Sequence, residues 1–132
     1  MEKFVMEYNL YGAKLQEMEQ QLQAIEKFIV EIQTTSNALD ELKDAKINQE
    51  SLSPIGQGIF VKTKLGDNKE VMVEIGTKVV ANKSIDEAKT LLDKKIMDLI
   101  NLRKNLADQI EVIVIKMQQI EAGISGKNVH SP

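Results

Sequence analysis

Leu52-Ser53-Pro54-Ile55-Gly56-Gln57-Gly58-Ile59-Phe60-Val61-Lys62-Thr63-Lys64-Leu65 is the stretch on which the fold turns. Ser53-Pro54 blocks a helix, because proline lacks the backbone N–H and clashes with the preceding turn. Gly56 and Gly58 mark bends. Ile59 to Leu65 then reads as a strand, and Gly66-Asp67-Asn68-Lys69 carries turn chemistry. Val71-Met72-Val73-Glu74-Ile75 alternates with period two, which puts Val71, Val73 and Ile75 on one face. Gly76 allows another bend, and Val79-Val80 supplies a further short strand. Residues 49–83 therefore form a small β segment. A lone hairpin is marginal in water, and these strands have little to pack on within one chain. The physical expectation is that strands of another subunit complete them.

Outward from that segment the period changes to that of a coiled coil. On the N-terminal side, over roughly 3–48, Phe4, Tyr8, Tyr11, Leu15, Met18, Leu22, Ile25, Ile29, Ile32, Ser36 and Leu39 step by alternating fours and threes. Only Ser36 is polar among them. A stripe that narrow needs a second helix to cover it. Near residue 42 the register slips, since Leu42 and Ile47 replace the expected Lys43 and Lys46. On the C-terminal side, over roughly 84–124, Leu92, Ile96, Leu99, Arg103, Leu106, Ile110, Ile113, Met117, Ile120 and Ile124 repeat the pattern. Ser84 to Glu87 has the form of a capping box. Residues 125–132 are expected to be a disordered tail. The two helical stretches are similar in length, ~60–70 Å at about 1.5 Å per residue. A short β insert between matched arms predicts an antiparallel coiled coil whose free ends, near 4–15 and 113–124, meet.

Composition agrees with a single helical unit. The 132 residues are 42% hydrophobic but only 4% aromatic, and 28% are charged, as in long helices. A net charge of -3 gives no bulk attraction to nucleic acid or to anionic membranes. The absence of Cys excludes disulfides and thiolate metal sites, and is compatible with a reducing cytosol. Met1-Glu2-Lys3-Phe4 lacks the start of a signal peptide, and the longest apolar run, Val112 to Ile115, is far short of the ~20 residues of a membrane span. A cytoplasmic protein is expected.

Candidate chemistry is sparse. No catalytic constellation is visible, so no enzyme, cofactor or metal is expected. His130 is the only histidine and lies in the tail. Gly56-Gln57-Gly58 is not a phosphate loop, because no Gly-Lys-Ser/Thr follows. Glu17, Glu19, Asp40 and Glu41 read as a solvated helix face. Arg103, the only arginine, sits in the seam, where it snorkels, pairs with a carboxylate or sets register. The free ends carry more apolar residues than a seam requires. Phe4, Val5, Met6, Tyr8, Leu10 and Tyr11 stand at one end. At the other, Val112, Val114 and Ile115 flank Ile113 and Met117. That surplus marks an interaction site or packs on a third helix or a neighbouring subunit. Methionine suits varied partners.

Leu52 to Val61, Val71 to Val80 and Lys83-Ser84-Ile85-Asp86-Glu87-Ala88 together resemble the α class of prefoldin subunits. Ser53 departs from the family pattern, which usually has an apolar residue before the proline. The resemblance covers nearly the whole chain. It implies a mainly α fold: a long antiparallel two-helix coiled coil joined by two short β-hairpins that assemble into an inter-subunit β-barrel. It implies a hexamer of two α and four β subunits, with Ile59, Phe60, Val61, Val71, Val73, Ile75, Val79 and Val80 at the oligomerisation joint. It implies that Phe4, Val5, Met6, Tyr8, Tyr11, Ile113, Met117, Ile120 and Ile124 form client-binding tips. The function it implies is a holding chaperone that uses no ATP and passes unfolded polypeptide to a group II chaperonin. A filament or scaffold built through the β segment is the alternative, since some relatives form filaments. A coiled-coil adaptor for one specific partner is a third reading.

Overall fold

A computed structural model describes residues 2–130, with side chains described for residues 2–124. The order is α1 (Glu2–Asp44), β1 (Glu50–Gly56), β2 (Ile59–Lys64), β3 (Glu70–Gly76), β4 (Val79–Ser84) and α2 (Ile85–His130). The helices have 43 and 46 residues, matched as the heptads required. The tail expected to be disordered, together with His130, lies outside the residues described with side chains. The chain divides into two compact units.

The first unit takes the start of α1 and the later part of α2, residues 1–30 and 97–132. Met18, Ile25, Ile29, Leu106 and Ile113 form its buried cluster, with Tyr11, Leu15, Leu22, Leu99, Ile110 and Met117 packed on it. Every described seam position named from the sequence in this unit is buried or half-buried, including Arg103. Three contacts fix the antiparallel register. The Tyr8 hydroxyl donates to Glu121 Oε1 at 2.6 Å. Lys116 Nζ stands 5.6 Å over the Tyr11 ring. Gly12 approaches Met117, whose Cε lies 3.8 Å from where a Cβ on Gly12 would be.

The second unit is residues 31–96: the end of α1, four strands and the start of α2. Helix α1 stops at Asp44, short of 48. The Ala45 carbonyl accepts from Asn68 Nδ2 at 3.0 Å, and Asn48 adopts a left-handed φ of 67°. Those features turn the chain where the heptad register had already slipped. Ser84 caps α2 as expected, accepting from the Glu87 N–H at 3.0 Å. The Glu87 carboxylate faces Lys83 Nζ, 3.9 Å away. Ile85 and Ala88 are buried beneath the cap.

The strands form two separate two-stranded antiparallel sheets, β1–β2 and β3–β4. Strand β1 contains Pro54, the residue expected to block a helix. It pairs with Phe60 across the ladder, as an edge strand permits. The hairpins are built alike. Each ladder shifts register at the residue before a glycine, at Ile55 and Ile75, and closes Gly56 on Ile59 and Gly76 on Val79. The two-residue loops need left-handed backbone at Gln57 and Gly58 (φ 50° and 77°) and at Lys78 (φ 60°). Ser53 is met by Thr63: their hydroxyls lie 3.0 Å apart.

Candidate functional site

Exposed apolar side chains gather in two regions, besides those spaced along the helices such as Phe28, Met97 and Leu102. The first is where the helix ends meet in the first unit. Heptad spacing sends Phe4, Tyr8, Tyr11, Met117 and Ile124 to half-buried seam positions, and Ile113 and Ile120 become 7% and 9% exposed. Ile113 and Ile120 therefore pack between the two helices, and Ile120 also borders a surface hollow. Residues between heptad positions face outward: Val5, Met6, Leu10, Val112 and Ile115 are all exposed, Leu10 by 69%. The surface beside them is grooved. Val5, Tyr8, Glu121 and Ile124 line one shallow hollow of about 320 Å³. Phe4, Tyr11, Lys116 and Ile120 are among the residues lining another of about 370 Å³. The Tyr8–Glu121 bond holds the Tyr8 phenol above its ordinary 10.0, because the carboxylate accepts its proton and repels the phenolate. Of the tip residues named from sequence, Val5 and Met6 are the exposed ones. Leu10, Val112 and Ile115 complete the surface; heptad position alone, outside a and d, is the signal for them.

The second region is the hairpin pair. Ile59, Phe60, Val61, Ile75, Val79 and Val80 are exposed, whereas Val71 and Val73 are half-buried. Val71 and Val73 share a face with Ala81 and Lys83, all half-buried, while Met72 takes the opposite face, and Ile75 leaves that alternation at the register shift before Gly76. An open groove of about 770 Å³ runs beside β3, lined in part by Leu39, Val73, Ala88, Leu91 and Leu92. Leu52, Ile55 and Met72 are also exposed on the hairpins and were not among the residues expected there. Met72 was legible as the off-phase position of an alternating strand. Leu52 and Ile55 were not, because Pro54 concealed the strand they belong to.

Cross-helix ion pairs flank the hairpins. Lys43 pairs with Asp86, and Lys89 with Asp40. The hydrogen bond from Lys43 holds the Asp86 carboxyl below its ordinary range, and the same bond raises the Lys43 ammonium. Both pairs are solvent-exposed, so their contribution is small and screened by salt. Among the described residues no group of three or more His, Cys, Asp or Glu could hold a metal ion, and no helix is long and apolar enough to cross a membrane.

Two matched heptad helices that carry a pair of edge-exposed hairpins define a class of coiled-coil subunit. The comparisons give that class its name. The prefoldin subunit family profile matches residues 11–130. Prefoldin subunit alpha of Thermofilum pendens is 24% identical over 123 residues, covering 93% of this chain and 95% of the relative. Prefoldin subunit alpha of Pyrococcus horikoshii is 34% identical over 101 residues, covering 74% and 67%. A filamentous prefoldin from Methanocaldococcus jannaschii superposes with a TM-score of 0.80 at 20% identity, covering 93% of this chain and 99% of that one. The prefoldin beta subunit from a Thermococcus strain gives 0.63 at 18% identity, covering 99% and 93%. The chain belongs to the prefoldin subunit family and is of the archaeal α type. A chaperone-type role, and assembly with other prefoldin subunits, follow from that membership.

Proposed function

We propose that this chain is a non-enzymatic holding subunit that binds unfolded polypeptide at its paired helix ends, without ATP, and hands it to a group II chaperonin. The observation that carries the reading is the exposed apolar set Val5, Met6, Leu10, Val112 and Ile115, beside grooves that include Phe4, Tyr8, Tyr11 and Ile124. A helix satisfies its own backbone hydrogen bonds, so apolar residues on its outer face impose no register on what they touch. Such a surface suits clients of unrelated sequence, and methionine's flexibility widens the range. The hairpins would join β-class subunits in a cytoplasmic hexamer of two α and four β.

The test uses the chain assembled with a β-class partner. Residues 1–11 and 117–132 are removed, and aggregation of a denatured client is followed by light scattering without nucleotide. The full complex should suppress aggregation and the trimmed complex should not, with assembly unchanged by native mass. Equal suppression by both would remove the tips from the account.

One observation favours a second reading. The solved structure with TM-score 0.80 is of a filamentous prefoldin. If this chain is instead a scaffold, negative-stain images of it should show long rods. Small closed particles would count against that.

A further inference from the structure

The two hollows near the helix ends lie on opposite flanks of the seam. Val5, which follows the seam residue Phe4, lines one together with Glu121. Glu7, which precedes the seam residue Tyr8, lines the other together with Lys116. Residues seven apart on a coiled-coil helix keep the same flank. From Glu7 the steps reach Lys14, Gln21 and Phe28, and from Lys116 they reach Gln109 and Leu102. From Val5 they reach Gly12, Glu19 and Glu26, and from Glu121 they reach Val114, Ala107 and Ile100. All of these residues belong to the first unit.

The flanks differ in charge. With the positions three residues further on included, the Glu7 flank presents Gln21, Ala24 and Phe28 on α1. On α2 it presents Leu102, Asn105, Gln109 and Val112. Every one of these is exposed and none is charged. Over the same length the Val5 flank carries Glu19, Glu26, Lys104 and Glu111. The uncharged strip has exposed apolar residues at both ends: Leu10 and Val112 toward the helix ends, Phe28 and Leu102 far from them. On α1, Lys14 and Glu17 interrupt it; on α2 it is continuous from Leu102 to Val112.

The spacing says what kind of partner fits. A docking helix needs an apolar residue every three or four positions. Between Leu10 and Phe28 this flank of α1 offers only Ala24. An extended chain brings side chains at wider intervals and unpaired N–H and C=O groups along its length. Gln21, Asn105 and Gln109 each carry both a donor and an acceptor for such groups. A charge covered by the chain would lose water without gaining a fixed partner, and the strip has none to cover. From Leu10 to Phe28 is about 27 Å along the helix at 1.5 Å per residue, the span of about eight extended residues.

We propose that this flank is a track for one extended segment of unfolded polypeptide, running from Leu10 and Val112 to Phe28 and Leu102. The inference rests on the client-holding reading and carries it from the helix ends along one flank of the coiled coil. The segments it selects are about eight residues or longer and poor in charge.

Leu102 and Met97 make the control. They are 52% and 56% exposed on the same helix, and Met97, three residues before Ile100, belongs to the other flank. The experiment measures fluorescence anisotropy of two labelled, unstructured, uncharged peptides, of about sixteen and about five residues, against the chain assembled with a β-class partner. Circular dichroism confirms that each variant is folded. Leu102→Glu and Phe28→Ser should each weaken the long peptide by about fivefold or more. Gln109→Glu, which adds charge without removing an apolar group, should weaken it as well. Met97→Glu should leave it within about twofold. The short peptide, which still has the helix ends, should be insensitive to all four. Equal losses for Leu102→Glu and Met97→Glu, or none for either, would overturn the proposal. So would a fall in native mass with Leu102→Glu, which would assign the flank to a neighbouring subunit. The tip reading is tested separately by V5S/M6S. If that variant weakens both peptides while the flank variants weaken neither, the tips stand and the track falls; if it weakens neither, the tip reading itself fails.

Discussion

Met6 and Met72 are almost equally exposed, at 65% and 63%, yet they stand on surfaces with different physics. Met6 lies on a helix whose backbone donors and acceptors bond within the helix. Met72 lies on a two-stranded sheet in which each strand keeps one unpaired edge. An apolar residue on the helix asks only for apolar contact. The same residue on the strand comes with a row of N–H and C=O groups that demand another strand in a fixed register. On the proposed function, the helix ends therefore suit clients of any sequence, and the hairpins particular subunits.

The strongest perturbation falls on the seam, which both surfaces depend on. Leu106→Ala removes a buried side chain from the central cluster and should cost about 2–4 kcal/mol, read as a fall in thermal midpoint. A loss below ~1 kcal/mol would mean that the cluster collapses around the gap or does not carry the coiled coil. Next comes the contrast itself. Replacing Val5, Met6 and Leu10 with Ser should reduce client suppression several-fold while changing chain stability by no more than ~0.5 kcal/mol per site, as exposed positions do. Replacing Ile59, Phe60 and Val61 with Ser should do the reverse, lowering assembly in native mass measurements and leaving the helix ends intact. If both sets impair the same property, the division between the two surfaces fails.

Smaller effects sharpen the picture. Gly12→Ala should stabilise the chain by about 0.5–1 kcal/mol, because the helix gains propensity and the new Cβ meets Met117 at ordinary contact distance. The Lys43–Asp86 pair should contribute only over a defined pH window. Asp86 is lowered in the folded state, so its contribution is present above the ordinary carboxylate pKa and is lost as pH falls through the lowered value. Lys43 is raised, so its contribution is present below the ordinary 10.5 and is lost as pH rises through the raised value. Asp86→Asn should flatten that small dependence, and salt should mask it. A variant whose pH profile matches wild type at low salt would show that the pair is energetically silent.

Much of the fold was written in periodicity. The seam from Phe4 to Leu39 and from Leu92 to Ile124 needed only the alternation of threes and fours, and those positions are the buried and half-buried ones. Strand β1 was hidden because Glu50-Ser51-Leu52-Ser53-Pro54 has neither alternation nor β-branched residues; its pairing with β2 makes it a strand. The end of α1 at Asp44 depends on Asn68, which is 23 residues away from the carbonyl it caps and has no local signature. At the helix ends, composition revealed an apolar surplus but not its direction. Ile113 and Ile120 are spent on the seam, and the outward surface comes from Val5, Met6, Leu10, Val112 and Ile115.

The division of labour can be read directly by placing a photo-crosslinking residue at Met6 or at Met72 in the chain assembled with a β-class partner, then adding a denatured client. The account predicts that position 6 captures the client and position 72 captures a prefoldin subunit. Client captured at position 72, or a subunit but no client at position 6, would contradict it.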